Sequence, residues 1–398
     1  MEGSRLYLDF ILVALGLLSS LLYHFWLWHA VRTRPRRTNI GVNAGGPRVW
    51  VIAMTKDNDK KNVLAVQTLR NHNMASTLMA TTSIFLCCSL LAFTSNIYKS
   101  QKRRHSDLEV ASKCAIVILA LLSSLLCQCL SIMFISQVNL LINTLAVEAC
   151  SVSPEYVAEL LEKGLFLSTL GNRLFFSALP LVLWVFGPEL VFLSSVALIP
   201  VLYNFDFVSG DEKGEVGVKV SDNDKKNVLA VQTLRNFIMS STLIATISIF
   251  ISCGLLAFTS NMYKSQKRRH SDLEVASKCA TVIMALLSSF LCHSLSIMFI
   301  TQVNLLINTL AVEACPVTPE YVAKLLKKGL FLSTLGNRLF FSSLPLVLWV
   351  FGPELVFLSS VALIPVLYSL DFVSGDEKGE VGVKVSGASH REFNAAEA

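Results

Sequence analysis

The sequence is poor in charge and poor in the short motifs that carry chemistry. Only 16% of its 398 residues are charged, while 53% are hydrophobic; soluble domains average about 25% charged residues. It contains no Gly-rich phosphate loop, no nucleophile elbow and no paired-carboxylate arrangement. These absences argue against an ordinary soluble domain and against an enzyme. The sequence predicts no catalytic residue and no cofactor.

The sequence also lacks the cysteine and histidine spacings of metal sites and disulfide frameworks. Its ten cysteines form no CxxC pair, and nearly all lie in or beside apolar runs. Free cysteine behaves there as a small apolar side chain. The stretch "HSDLE" at 105–109 follows a basic cluster, and its spacing matches no zinc pattern. We therefore expect neither a metal site nor redox chemistry.

Long apolar runs dominate what remains. A helix needs about 20 apolar residues to cross the hydrocarbon core of a bilayer. "LYLDFILVALGLLSSLLYHFWLWHAV", "MASTLMATTSIFLCCSLLAFTSNIY" and "CAIVILALLSSLLCQCLSIMFI" meet that length. The first is longer than the apolar part of a signal peptide and ends in Trp and His rather than at a cleavage site. The sequence predicts an all-α, polytopic transmembrane helical bundle with a retained leading helix.

The chain repeats itself almost completely. The stretch "DNDKKNVLAVQTLRN" begins at Asp57 and again at Asp222, and the two copies align without gaps at an offset of 165. About 22 aligned positions differ, which marks duplicated domains rather than a short repeat. Two differences reverse a charge in a predicted loop: Glu159 becomes Lys324, and Glu162 becomes Lys327.

This duplication defines the predicted domains. Residues 1–56 hold the leading transmembrane helix and a basic cytosolic loop, and residues 57–221 form the first repeat of about four transmembrane helices. Residues 222–386 form the second repeat of about four, and residues 387–398 a polar C-terminal tail. We call the first repeat copy one and the second repeat copy two. Unlike copy one, copy two is not preceded by a leading helix. Its helices must therefore expose one face to lipid, to copy one or to a second chain.

The number of crossings depends on the segment 164–207. Gly187 and Pro188 form a helix-stopping pair at its centre, with enough apolar residues on each side to cross. Two crossings give nine spans and two parallel repeats, and one crossing gives seven. Nine spans place about twice as many Lys and Arg on one side as on the other. This favours nine, with the N-terminus outside and the C-terminus cytosolic, in either the plasma membrane or an endomembrane.

Polar side chains inside the spans are the candidate site. An ionised Arg in a span needs a polar cavity or a partner. Arg173 therefore predicts an anion or carboxylate contact on a permeation path, a structural pair with a neighbouring helix, or a span boundary that places Arg173 at the membrane interface. Asparagines four apart on one helical face either bond across helices or line a vestibule. The candidate intramembrane residues are Asn172, Arg173, Asn337, Arg338, Asn139, Asn143, Asn304 and Asn308.

The net charge of +6 and the cluster "RTRPRR" predict contact with anionic lipid head groups on the cytosolic face of the bilayer, rather than with nucleic acid. Self-association is a further expected partnership, through the face that copy two leaves open. The polar linker between the copies has no apolar face and is predicted to be flexible and cytosolic.

Several stretches resemble a known family. "YLDFILVALGLL", "YHFWLWH", "AVQTLRNHNMASTLMATTSI", "VFGPEL" and "YNFD" are similar to the plant membrane proteins grouped as domain of unknown function 599. The resemblance covers about residues 1–208 and, without the N-terminal part, about 222–373; its usual member is a single unit. It implies an integral membrane protein and no particular activity. Two functions remain from the sequence: a transporter or channel-like subunit, and a non-transporting structural or regulatory membrane protein.

Overall fold

The computed structural model describes residues 2–43, 45–55, 59–98, 105–144, 153–207, 224–263, 270–307, 318–349 and 352–371. Within these ranges the chain is helical, with one isolated antiparallel bridge between Thr38 and Phe207. The helices are α1 (Glu2–Thr33), α2 (Asn39–Asn43), α3 (Gly46–Thr55), α4 (Asp59–Tyr98), α5 (His105–Thr144), α6 (Pro154–Val182), α7 (Pro188–Asp206), α8 (Asp224–Tyr263), α9 (His270–Leu306), α10 (Pro319–Leu348) and α11 (Pro353–Asp371).

Eight helical segments in the described part are long and apolar enough to cross a membrane. They are Ile11–Thr33, Val63–Ser95, Val110–Ile142, Pro154–Val185, Pro188–Asp206, Leu229–Thr259, Glu274–Leu306 and Pro319–Leu348. A ninth helix, α11, contains the shorter apolar segment Pro353–Pro365. The predicted all-α polytopic bundle is confirmed, and the chain is a multi-pass integral membrane protein.

The segment 164–207 folds as two helices, α6 and α7, separated by a short 3-10 turn and Gly187. Thr38 follows α1 and pairs with Phe207 at the end of α7, so α1 and α7 end on the same face of the bundle. We call this the basic face, because the exposed Arg32, Arg34 and Arg37 lie there.

Copy two has the same orientation as copy one. Near the start of α10, Lys328 donates hydrogen bonds to the carbonyl oxygens of Asn204 (2.8 Å) and Phe207 (3.1 Å), which places that start on the basic face. Near the start of α6, Glu162 accepts a hydrogen bond from Arg48 on the same side. The third helices of the two copies, α6 and α10, therefore start on the same face, as the nine-span arrangement requires.

Matching caps begin the third helix of each copy. Ser153 and Thr318 accept hydrogen bonds from the backbone N–H of Tyr156 (3.2 Å) and Tyr321 (3.3 Å), and each cap is followed by Pro. Proline is favoured there because its missing N–H would have no partner in the first turn. The expected loop around 159 and 324 was wrong: these charge reversals lie within α6 and α10, because the caps start the helices several residues earlier.

Serine and glycine make the same interhelical contacts in both copies. A serine of α5 or α9 donates to the carbonyl oxygen of a glycine in α6 or α10, which small residues allow by close backbone approach. The four bonds are Ser124 to Gly171 (2.8 Å), Ser131 to Gly164 (2.7 Å), Ser289 to Gly336 (2.9 Å) and Ser296 to Gly329 (2.6 Å). The space is tight, since a Cβ on Gly171 would lie 2.8 Å from Nε2 of Gln128.

The basic loop of the leading segment is more ordered than the sequence indicates. It contains α3, whose Trp50 and Val51 are fully buried in a cluster with Ile142 and Leu161. Its Arg48 pairs with Glu162 at 3.0 Å. An amphipathic ten-residue helix therefore covers the end of α5 and the start of α6, where the sequence predicted only a basic loop.

The two copies meet mainly through α4 and α8. The equivalent residues Phe85 and Phe250 lie 4.6 Å apart between ring centroids, and Phe175 of copy one lies 5.6 Å from Phe290 of copy two. The leading helix α1 does not lie between the copies. It packs along α7, on the outer side of copy one.

Candidate functional site

The main polar site is an ion pair between α6 and α7. Arg173 donates from Nη1 to Oδ2 of Asp206 at 2.8 Å and from Nη2 to Oδ1 of the same carboxylate. The Asp206 side chain is 0% exposed and that of Arg173 is 12% exposed. Because both carboxylate oxygens accept from one guanidinium, the pair has the bidentate geometry that is strongest for these groups.

The leading helix completes this site. The Tyr23 hydroxyl of α1 donates to Oδ2 of Asp206 at 2.5 Å. Asp206 therefore joins three helices: its own α7, α6 through Arg173, and α1 through Tyr23. Tyr23 and Arg173 thus both donate to the Asp206 carboxylate, a charge that would otherwise be unpaired inside the protein.

A second set of bonds surrounds the end of α7. The Asn39 side-chain amide donates to the Phe205 carbonyl, and its Oδ1 accepts from the Tyr321 hydroxyl of copy two at 3.2 Å. Lys328 of copy two also bonds to carbonyls there. The motif "YNFD" at 203–206 is thus the place where the leading segment, copy one and copy two are held together.

An aromatic cluster and a groove lie beside the ion pair. Trp26 of α1 stacks on Tyr203 (centroids 5.9 Å apart) and contacts Phe207 (4.6 Å) of the α7 end. The adjacent groove between α1 and α7 has a volume of about 460 Å³. It is lined by Ser19, Tyr23, Trp26, Ile199, Pro200 and Tyr203. This lining is almost entirely apolar, which suits an acyl chain better than a polar solute.

Asn172 bonds across helices. Its Oδ1 accepts from Nε2 of Gln128 on α5 at 2.7 Å, and both side chains are buried. The equivalent pair in copy two differs, because His293 stands at the position that corresponds to Gln128. His293 is fully buried beside Gly336, and in the described residues its ring nitrogens have no hydrogen-bond partner. Asn337 is half-buried on α10.

The second arginine has a different environment from the first. Arg338 of α10 is exposed, whereas Arg173 is largely buried. No segment equivalent to α1 lies between the two copies in the sequence. In the part of the chain that the structure describes, α11 packs mainly on α10. Near-identical sequence in the two copies therefore produces two different sites.

The remaining candidate asparagines are only partly placed. Asn139 is half-buried on α5, and Asn304 is fully buried on α9. The Asn143 side chain and the whole of Asn308 lie outside the described residues. Their predicted use in interhelical bonding stays a prediction, as does the predicted contact of the arginine cluster with anionic head groups.

Sequence reasoning did not identify Asp206 and Tyr23 as the partners of Arg173. One signal was available: Asp206 is one of only two carboxylates in the long apolar segment 164–207, and a charged residue in a span usually pairs with one of opposite sign. No comparable signal identified Tyr23, because its hydroxyl reaches Asp206 only through the packing of α1 on α7.

The chain matches a known family twice. The family model described as "Protein of unknown function, DUF599" matches residues 11–211 and again residues 218–376. The first matched segment contains most of the leading helix together with most of copy one, and the second contains most of copy two. The comparisons with curated proteins and with solved structures found no match.

Proposed function

The chain belongs to the DUF599 family of proteins of unknown function, and we propose that it is a non-transporting structural membrane protein. Its buried polar groups hold helices together rather than contact a cargo. The observation that carries this proposal is the Arg173–Asp206 pair, a bidentate contact made within one chain and completed by Tyr23.

The bonding within this cluster supports a structural use. The two terminal nitrogens of Arg173 and both oxygens of Asp206 are engaged with each other or with Tyr23. An anionic cargo would have to displace a carboxylate that is already bound in bidentate geometry. It would also have to leave that carboxylate buried without its partner, which is strongly unfavourable. The neighbouring groove is lined by apolar atoms and offers no such compensation.

A transporter or channel-like subunit is the second candidate. Parallel repeats recur among transporters, and the two copies here run in the same direction. His293 also favours this candidate, since a fully buried imidazole without a protein hydrogen-bond partner in the described part of the chain is the kind of group that binds a polar ligand.

Small-ion flux distinguishes the two candidates. We expect vesicles containing the purified full-length chain to pass chloride, acetate and potassium no faster than protein-free vesicles, because the buried charge is neutralised inside the protein. Arg173→Gln and His293→Gln proteins, matched for the amount inserted, serve as comparisons. A flux above the protein-free level that either substitution abolishes would contradict the structural proposal and support transport.

We also propose that the basic face is cytosolic, with the N-terminus outside and the C-terminus inside. The exposed Arg32, Arg34, Arg37 and Arg48 support this orientation, because positive residues near span ends are retained in the cytosol.

Glycosylation mapping tests the orientation. Acceptor sites inserted in the linker 210–226 and in the tail 387–398 should both remain unmodified in microsomes, while a site added before residue 2 should be modified. Modification of either the linker or the tail would overturn the proposed orientation. Opposite results at these two positions would also overturn the even number of crossings per copy.

A further inference from the structure

Helices α7 and α11 have the same surface in sequence but not the same neighbours. Residues 188–203 and 353–368 are identical. In copy one this surface is covered by α1, whose length runs along α7. In copy two, α11 packs on α10 and has no leading helix of its own. In the part of the chain that the structure describes, one example of this helix face is therefore covered and the other is not.

The packing of α1 on α7 in copy one shows which contacts this face makes with a neighbouring helix. A Cβ built on Gly16 of α1 would lie 3.2 Å from Oγ and 3.4 Å from Cβ of Ser195, and 3.5 Å from the Phe192 Cα. A small residue on α1 is therefore required for the two backbones to approach this closely. Seven residues later on α1, and so on the same side of the helix, Tyr23 reaches Asp206.

The uncovered example exposes the same positions. Phe357, equivalent to the half-buried Phe192, is 74% exposed, and Ile364, equivalent to the half-buried Ile199, is 64% exposed. Ser360 stands where Ser195 contacts α1 and is no longer buried.

Arg338 provides a second and independent observation. It lies within the α10 span yet is exposed, whereas its equivalent Arg173 is enclosed by the packing of α1, α6 and α7. In copy one the equivalent guanidinium lies beneath α1, next to the Asp206 carboxylate that Tyr23 also binds. The uncovered face therefore includes an exposed arginine that a leading helix would enclose, as α1 encloses Arg173.

We propose that the α10–α11 face of copy two is a docking site for the leading helix of another polypeptide. That helix is one like residues 2–33 of this chain, with a small residue that packs on Ser360 and a tyrosine two turns later on the same side. The partner is thus a second unit of the same family that supplies its leading helix in trans. The proposal does not depend on whether the chain transports a solute.

Cysteine cross-linking in membranes tests this docking. The probe is a tagged peptide of residues 2–33 with Gly16→Cys, co-expressed with the full chain carrying Ser360→Cys. A single apolar helix of this length inserts and folds alone because its backbone hydrogen bonds are internal. The 3.4 Å Cβ separation at the equivalent pair in copy one is close to the range of disulfides, about 3.5–4.5 Å. We expect a disulfide between probe and chain.

Three controls use matched positions. The probe carrying Leu21→Cys presents its thiol on the exposed side of α1, and the chain carrying Leu358→Cys presents it away from the docking face, as the exposed Leu193 does in copy one. Neither should cross-link above the background of native cysteines. The chain carrying Ser195→Cys should also cross-link poorly to the probe, because its own α1 already covers that position.

Equal cross-linking at positions 360 and 358 would overturn the proposal and indicate that lipid covers the face. Efficient cross-linking between two full chains through position 360, with none to the probe, would overturn it in favour of an α11–α11 contact between copies.

Discussion

Arg173→Gln is expected to lower the free energy of unfolding by about 3–5 kcal/mol, since removal of one partner leaves the buried Asp206 carboxylate uncompensated. Asp206→Asn should cost a similar amount for the converse reason. Tyr23→Phe removes one hydrogen bond to the carboxylate and should cost less, about 1.5–3 kcal/mol. Thermal unfolding of the purified chain in detergent, followed by monodispersity and by tryptophan fluorescence, measures the order of these effects.

The double variant Arg173→Met, Asp206→Leu separates a structural pair from a ligand site. A buried pair replaced by apolar residues of similar volume is often neutral in stability, so the double variant should be more stable than either single variant. Arg338→Gln is the matched control in copy two, and its effect should be smaller because Arg338 is exposed and is not enclosed by a leading helix as Arg173 is. Additive losses in the double variant would show that Arg173 and Asp206 do not act on each other.

Residues 1–221 are expected to form a stable, monodisperse unit in detergent, whereas residues 222–398 alone should insert but unfold at a much lower temperature. Copy one retains α1 over α7 and the Tyr23–Asp206–Arg173 cluster. Copy two alone exposes the apolar face of α11. It also loses the bonds that Tyr321 and Lys328 make with copy one. Thermal unfolding and size-exclusion profiles of the two halves give the comparison.

The control for this comparison is a chimeric chain in which copy two receives the leading segment of copy one. Residues 1–56 placed directly before residue 222 would restore a leading helix for α11, and most of the lost stability should return. If the two original halves were equally stable, the leading helix would be a targeting segment rather than part of the bundle. If the graft did not help, the weakness of copy two would lie in its lost contacts with copy one.

Sequence alone predicted the features that depend on composition and length. The apolar runs predicted the spans, and Gly187 with Pro188 predicted the break between α6 and α7, because each rests on a local property of the chain. The sequence also indicated that Arg173 needs a partner, but left open whether that partner is a cargo or a neighbouring helix.

The features that the sequence did not predict depend on which helices become neighbours. Asp206 reaches Arg173 because α7 folds back beside α6, and Tyr23 reaches Asp206 because α1 packs on α7 rather than on α4. The burial of Trp50 has the same origin, since its apolar neighbours are brought together only when the end of α5 and the start of α6 pack beside α3. These helix–helix contacts produce no periodic pattern in the sequence of a single chain, so they cannot be predicted from it.

Lys163 and Lys328 occupy equivalent positions and hold different partners. Lys163 pairs with Glu159 one turn earlier, at 2.7 Å, whereas Lys328 binds the carbonyl end of α7, where a helix dipole favours positive charge. Position 324, equivalent to Glu159, holds a lysine. Gene conversion, which homogenises near-identical stretches of DNA, could place a glutamate there, and that glutamate would compete with α7 for Lys328 as Glu159 pairs with Lys163. The difference at position 324 therefore leaves Lys328 available to join copy two to the end of α7 in copy one.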